Sequence, residues 1–142
     1  MIPRSHLVAT AAYDVVVIRQ GVPFQKKYGA LAHKLPGLIL QNGLAQATGF
    51  LIAKGTQEHL AVLDDLRAIL HATRATAAVD QADLHKEIIA ADLSQTMLLT
   101  RRSLEAAGWM KRYVQGVLGV DATGDSRSEP TTEGQAAREN QP

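Results

Sequence analysis

The chain has 142 residues, 46% hydrophobic and 20% charged, which is the length and balance of one globular domain with a single core. Net charge is +1, but residues 121–142 carry five acids against two arginines, so residues 1–120 hold four surplus positive charges, a balance suited to a polyanionic partner. The absence of cysteine excludes a disulfide framework, a thiolate zinc site, an iron–sulfur cluster and a cysteine nucleophile, and fits a cytoplasmic location.

In chain order, Ser5 is expected to cap a first helix running to about Gly21, with Val8, Ala12, Val15, Ile18 and Val22 as its apolar stripe. The β-branched run at 15–18 alone would suggest a strand, but no partner strand is evident elsewhere. Pro23 opens the next segment, in which Phe24, Tyr28, Leu31 and Leu35 recur at helical spacing. Pro36-Gly37 and Asn42-Gly43 then read as two breaks that redirect the chain. Apolar surface at Leu38, Ile39 and Leu40 is either core or a face for a neighbouring molecule.

Thr56 reads as the cap of a helix whose stripe is Leu60, Leu63, Leu66 and Leu70, with Glu58 near the positive end of the helix dipole. Asp80 or Asp83 is placed to cap a short helix through Ile88 and Ile89. The longest helix spans Asp92 to Gly119, with Leu93, Met97, Thr100, Leu104, Ala107, Met110, Val114 and Leu118 on one face. The reading is an all-α fold, a compact bundle of five or six helices with the longest at the C-terminal end. Residues 1–120 form the helical domain, and 121–142 an acidic tail too polar to offset its ordering entropy, expected to be disordered. No run of about 18 apolar residues is available to span a membrane, and the opening segment lacks the build of a signal peptide.

Catalytic patterns are scarce. The histidines, His6, His33, His59, His71 and His85, show no metal-ligand spacing; neither a phosphate-cradling glycine loop nor a nucleophile elbow is present. No metal or cofactor is therefore expected. Arg67 and His71, one helical turn apart, are the nearest approach to a helical ribonuclease pair, and a small ribonuclease using them is the alternative reading. Asp64 and Asp65 point about 100° apart on a helix and read as a surface charge pair. Trp109 reads as a core anchor, and aromatic residues amount to only 4%, which favours backbone contact over base readout in any RNA partner.

The basic residues are more ordered. Lys27 and Lys34 are seven apart, and Arg101 and Arg112 eleven apart, so each pair aligns within about 20° on a helix. Such tracks match phosphates and give salt-dependent, sequence-independent affinity. Glu105 lies on the second track and partly neutralises it.

Two stretches carry a more specific signal. KKYGALAHKLPGLILQNGLAQATGFLIAKG, residues 26–55, and TRRSLEAAGWMKRYVQGVLG, residues 100–119, resemble in order and spacing the signature segments of the small helical subunit of the type III-B CRISPR effector, the Cmr complex. The resemblance implies a non-enzymatic scaffold that stacks in several copies as an inner filament. It would lie beside the backbone and large subunits, touching the phosphates of paired CRISPR RNA and target RNA without reading sequence. By the same resemblance Lys27, Lys34, Lys54, Arg101, Lys111 and Arg112 occupy or flank motif positions and are the candidate RNA contacts, with Lys34, Arg101 and Arg112 foremost. Charge alone adds Arg19, Lys26 and Arg102.

Overall fold

The computed structural model describes residues 1–121. Six helices account for its regular structure: α1 (Arg4–Val17), α2 (Gln25–Asn42), α3 (Leu44–Lys54), α4 (Gln57–Ala72), α5 (Gln81–Ala90) and α6 (Leu93–Gly116). The all-α expectation holds, with the longest helix last. The acidic tail expected at the C-terminal end lies, from residue 122 onward, outside the described residues.

Local chemistry sets most of the boundaries. The Thr56 side chain accepts from the backbone N–H of His59 at the start of α4, and Asp80 accepts from that of Asp83 at the start of α5. Asp92 and Gln95 form a reciprocal capping box at the start of α6. Each such cap satisfies helix-end donors that would otherwise lack partners and contributes about 1 kcal/mol. Ser5 is not a cap: α1 begins at Arg4 behind Pro3 with no side-chain cap, and it ends at Val17, short of Gly21. Of the two breaks expected after Tyr28, only the second exists. Gly43, at φ +83°, separates α2 from α3, whereas α2 runs on through Pro36. A proline inside a helix removes one backbone hydrogen bond and crowds the preceding turn. The burial of Tyr28, Ala32, Leu35 and Ile39 along one face of α2 offsets that cost, since tertiary packing supplies most helix stability in proteins.

α2 and α6 lie side by side in opposite directions: the Gln25 side chain donates to the Leu118 carbonyl at 3.3 Å, and Gln115 bonds His33 at 2.7 Å. α1 runs along the other side of α6 in the same direction, with Arg4 near Glu105 and Tyr13 edge-on to Tyr113. α4 packs under all three, its Val62, Leu63, Leu66, Ile69 and Leu70 buried. α3 and α5 pack on each other at one end, linked by Thr48 and His85 at 2.7 Å. Each large aliphatic side chain buried in this core contributes about 1.5–3 kcal/mol.

The apolar stripe of α6 is right in its second half only. Ala107, Met110 and Val114 are buried, but Leu93 and Met97 are 76% and 57% exposed, and Leu99 and Ser103 occupy the inward positions of the first half. In α1, Val16 is buried in place of Val15, and Ile18 is exposed. Asp65, expected at the surface, is buried in the centre of the bundle. It accepts from Arg19 Nε at 3.0 Å, Arg19 Nη2 at 2.7 Å and the Tyr28 hydroxyl at 2.5 Å. Burial pushes the Asp65 carboxyl above its ordinary range, while the Arg19 and Tyr28 hydrogen bonds act in the opposite sense. Burial also pushes the Tyr28 hydroxyl far up, with the Asp65 charge adding to it, so Tyr28 remains a donor. The chain passes so close to α2 after α6 that a Cβ on Gly29 would lie 2.6 Å from the Val120 side chain.

Candidate nucleic-acid interface

The basic residues of α2 fall on its exposed side because the opposite side is committed to the core: Tyr28, Leu35 and Ile39 point inward, Lys27 and Lys34 outward. Lys54 ends α3 in its last turn, where a cation is favoured by the helix dipole, and Gly55, at φ +63°, turns the chain into α4. These three lysines line one open cleft of about 500 Å³ between α2, α3 and the start of α4. Its apolar wall includes Leu31, Leu38 and Phe50, and Glu58 and His59 close one end.

A second cleft of about 440 Å³ continues along α2, where Lys34 and His33 meet Lys111 of α6. Lys27, Lys34, Lys54 and Lys111 therefore share one side of the molecule, although they come from three helices. No ion pair among the described residues engages these four; the ion pairs present use Arg4, Arg19, His59, Arg67 and Arg102. Glu58 is the acid that lines the first of these clefts. Backbone N–H donation at the start of α4 holds its carboxyl below the ordinary value against the opposing effect of burial, and Thr56, Lys27 and His59 lower it further.

Arg101 and Arg112 lie elsewhere. Both are exposed, and their spacing aligns them on the outer face of α6, about 80–100° round the helix from Lys111. Arg112 sits over the ring of Trp109, 5.8 Å from its centroid, and Trp109 stacks on Tyr113 at 5.7 Å. Trp109 is half-buried against the core, in keeping with an anchoring role. The six candidate cations thus fall into a cluster of four on the α2 side and a pair on the outer strip of α6.

Of the three additional cations, Lys26 is exposed and lines an adjoining cleft with Lys27 and Glu58. Arg102 lies 3.8 Å from Glu105 on the α1 side. Arg19 is corrected: its guanidinium is bound bidentately by buried Asp65, and the aspartate hydrogen bond raises its pKa. Arg67 donates to Asp64 at 2.8 Å and to the Ala78 carbonyl at 3.3 Å, which ties α4 to the segment before α5. His71 is exposed and lines a separate cleft with Arg74, Thr76 and Glu87. Among the described residues no group of three or more His, Asp or Glu is placed to hold a metal ion, and no helix is long and apolar enough to cross a membrane.

Sequence reasoning missed Phe50. It is 38% exposed, its ring 5.8 Å from Lys54 Nζ and edge-on to His59 at 5.7 Å. The spacing of Phe50 to Lys54, one helical turn, is the signal that was available.

Comparison with known proteins gives the family of the chain. The family model described as CRISPR-associated protein (Cas_Cmr5) matches residues 4–117, from the first residue of α1 to the cap of α6. A curated relative from Thermus thermophilus, named CRISPR system Cmr subunit Cmr5, is 34% identical over 115 residues, covering 81% of this chain and 96% of its own. The X-ray crystal structure of a CRISPR-associated Cmr5 family protein from Thermus thermophilus superposes with a TM-score of 0.75 at 34% identity, covering 83% of this chain and 99% of that one. On the matched length, the identity and the shared fold, the chain belongs to the Cas_Cmr5 family of CRISPR-associated proteins.

Proposed function

We propose that this protein is a non-catalytic structural subunit of a type III-B CRISPR ribonucleoprotein effector, acting in antiviral defence in the cytoplasm. It stacks with copies of itself as an inner filament beside the backbone and large subunits. Its basic side follows the phosphates of guide and target RNA without reading sequence. The observation that carries this reading is the cluster of Lys27, Lys34, Lys54 and Lys111, outside every ion pair of the described residues and gathered from three helices onto one side. Cations left unpaired in this way match a polyanion through counterion release and supply affinity that is independent of sequence. Family membership and the name of the Thermus relative, a Cmr subunit, supply the assembly.

Exposed apolar side chains support stacking. Leu93 and Met97 lie one turn apart on α6, with Ile89 just before them on α5 and Leu40 near the end of α2. A head-to-tail contact between unlike ends repeats without closing, which builds a filament.

The test is to tag the chain, recover it from its native cell extract at moderate salt, and sequence the RNA and identify the proteins that accompany it. Short RNAs with a common repeat-derived 5′ end, together with the large and backbone subunits, are the expected result. Recovery of the chain alone, free of RNA and partners, overturns the reading.

A further inference from the structure

The cleft between α2, α3 and the start of α4 combines features that a phosphate track alone does not need. A track needs cations; this cleft also has an apolar wall of Leu31 and Leu38, and an exposed aromatic ring set among the cations. Phe50 has Lys54 over its ring and His59 at its edge. Its volume of about 500 Å³ falls within the ~300–1,000 Å³ of clefts that take small molecules.

We infer that this cleft takes one unstacked nucleotide of single-stranded RNA, its base laid against Phe50 and its flanking phosphates on Lys34 and Lys54. The inference rests on the RNA-facing reading of this side and deepens it from phosphate tracking to the capture of one base. The occupant follows from the mixture of groups. An acidic peptide would satisfy the lysines but leave the Phe50 ring and the leucines without an apolar partner. An apolar helix would cover the wall but strip water from three ammonium groups that belong to no ion pair of the described residues. A nucleotide presents a flat π-face and negative charge within one residue, and aromatic stacking beside a cationic rim is how single strands are held without sequence preference.

Glu58 gives the site a direction. Its carboxylate repels phosphate at the Lys27 end and accepts hydrogen bonds from a ribose hydroxyl or an exocyclic amine. Lys34 and Lys54, on flexible stems, are then the main phosphate contacts. One phenyl ring, with His59 at its edge, implies one captured base, and a base paired and stacked within a duplex is excluded from the cleft.

The experiment uses the full chain with a fluorescein-labelled 12-nucleotide single-stranded RNA and the same strand annealed to its complement, titrated by anisotropy at low salt. Phe50→Leu, which keeps the apolar volume, is expected to weaken single-strand binding about five-fold or more while leaving duplex binding and the salt slope unchanged. Phe50→Tyr keeps the ring and is expected to bind both RNAs as the parent does, which separates loss of stacking from loss of folding. If Phe50→Leu binds the single strand like the parent while Lys34→Glu weakens both RNAs, the base site is overturned and phosphate tracking stands. If the parent chain binds neither RNA, both readings of this side fall. Displacement of RNA by a peptide of residues 122–142, with no difference between the parent and Phe50→Leu, assigns the lysines to a carboxylate-bearing segment and also overturns the base site.

Discussion

Arg19 and Asp65, 46 residues apart in the chain, meet in a bidentate ion pair with Nη2 to Oδ1 at 2.7 Å and Nε to Oδ2 at 3.0 Å. The pair ties the turn after α1 to the centre of α4, and the Tyr28 hydroxyl joins it from α2. Two helices and the turn after α1 therefore share one buried charge. The two partners differ in access to water, since the Asp65 side chain is 3% exposed and that of Arg19 is 20% exposed.

That difference predicts an unequal pair of variants. Arg19→Met strands a carboxylate in the core and is expected to cost about 3–5 kcal/mol at neutral pH, the usual result of removing one partner of a buried pair. Asp65→Asn is expected to cost less, because Arg19 can turn toward solvent. The pH dependence has a definite sign. The Asp65 carboxyl is already raised by burial, and loss of Arg19 removes a group that lowers it, so the folded variant holds the proton to higher pH than the unfolded chain. The contribution of Asp65 is then present below the ordinary carboxylate pKa and lost as pH rises through the raised value. Urea unfolding of Arg19→Met near pH 4.5 and pH 7.5 should show the smaller deficit relative to the parent at the lower pH. An equal deficit at both values contradicts the assignment.

The approach of Val120 to Gly29 predicts a size-dependent clash. Gly29→Ala places a methyl where Val120 already stands, at 2.6 Å, and is expected to destabilise by about 1–3 kcal/mol. Val120→Gly alone loses apolar burial, but in the double variant it removes the Cβ and both methyl carbons that meet the new side chain. A double-mutant cycle by chemical denaturation should therefore give a favourable coupling, and strict additivity would show that the contact is not made in solution.

Ser103 is fully buried on the inward face of α6, and its hydroxyl has no hydrogen-bond partner among the described residues. An unpartnered buried hydroxyl carries its desolvation cost with no return. Ser103→Ala is expected to raise stability by about 1 kcal/mol, read as an increased denaturation midpoint at unchanged slope. A decrease would reveal a hydrogen bond to a buried water.

For the basic side, Lys34→Glu combined with Lys111→Glu should lower affinity for RNA of any sequence and reduce the slope of log affinity against log salt by about 1–2. Stability should change by no more than about 0.5 kcal/mol, because neither residue belongs to an ion pair of the described residues. Arg102→Glu, on the opposite flank of α6 beside Glu105, is the control and should leave RNA affinity nearly unchanged. Because the double variant reverses two charges and the control one, a loss in log affinity for the control about half that of the double variant would mean that the chain responds to net charge alone.

Local signals written into the sequence determined the helices. Thr56, Asp80 and Asp92 have side-chain oxygens within reach of the next turn's amides, and Gly43 tolerates a backbone that other residues avoid. These interactions span a few residues, so they were legible, as were the family motifs around Tyr28 and Trp109. What a residue faces depends on distant chain segments, and only the tertiary structure decided it. Pro36 stays inside α2 because α4 and α6 pack along that helix; spacing alone signals a break. Asp65 is buried because Arg19, from the turn after α1, and Tyr28, from α2, arrive to satisfy it. The first half of α6 turns Leu99 and Ser103 inward and leaves Leu93 and Met97 outside, a rotation that hydrophobicity alone does not report. The basic residues divide for the same reason. Lys27, Lys34, Lys54 and Lys111 converge because α2, α3 and α6 are packed together, while Arg101 and Arg112 follow the outer face of one helix.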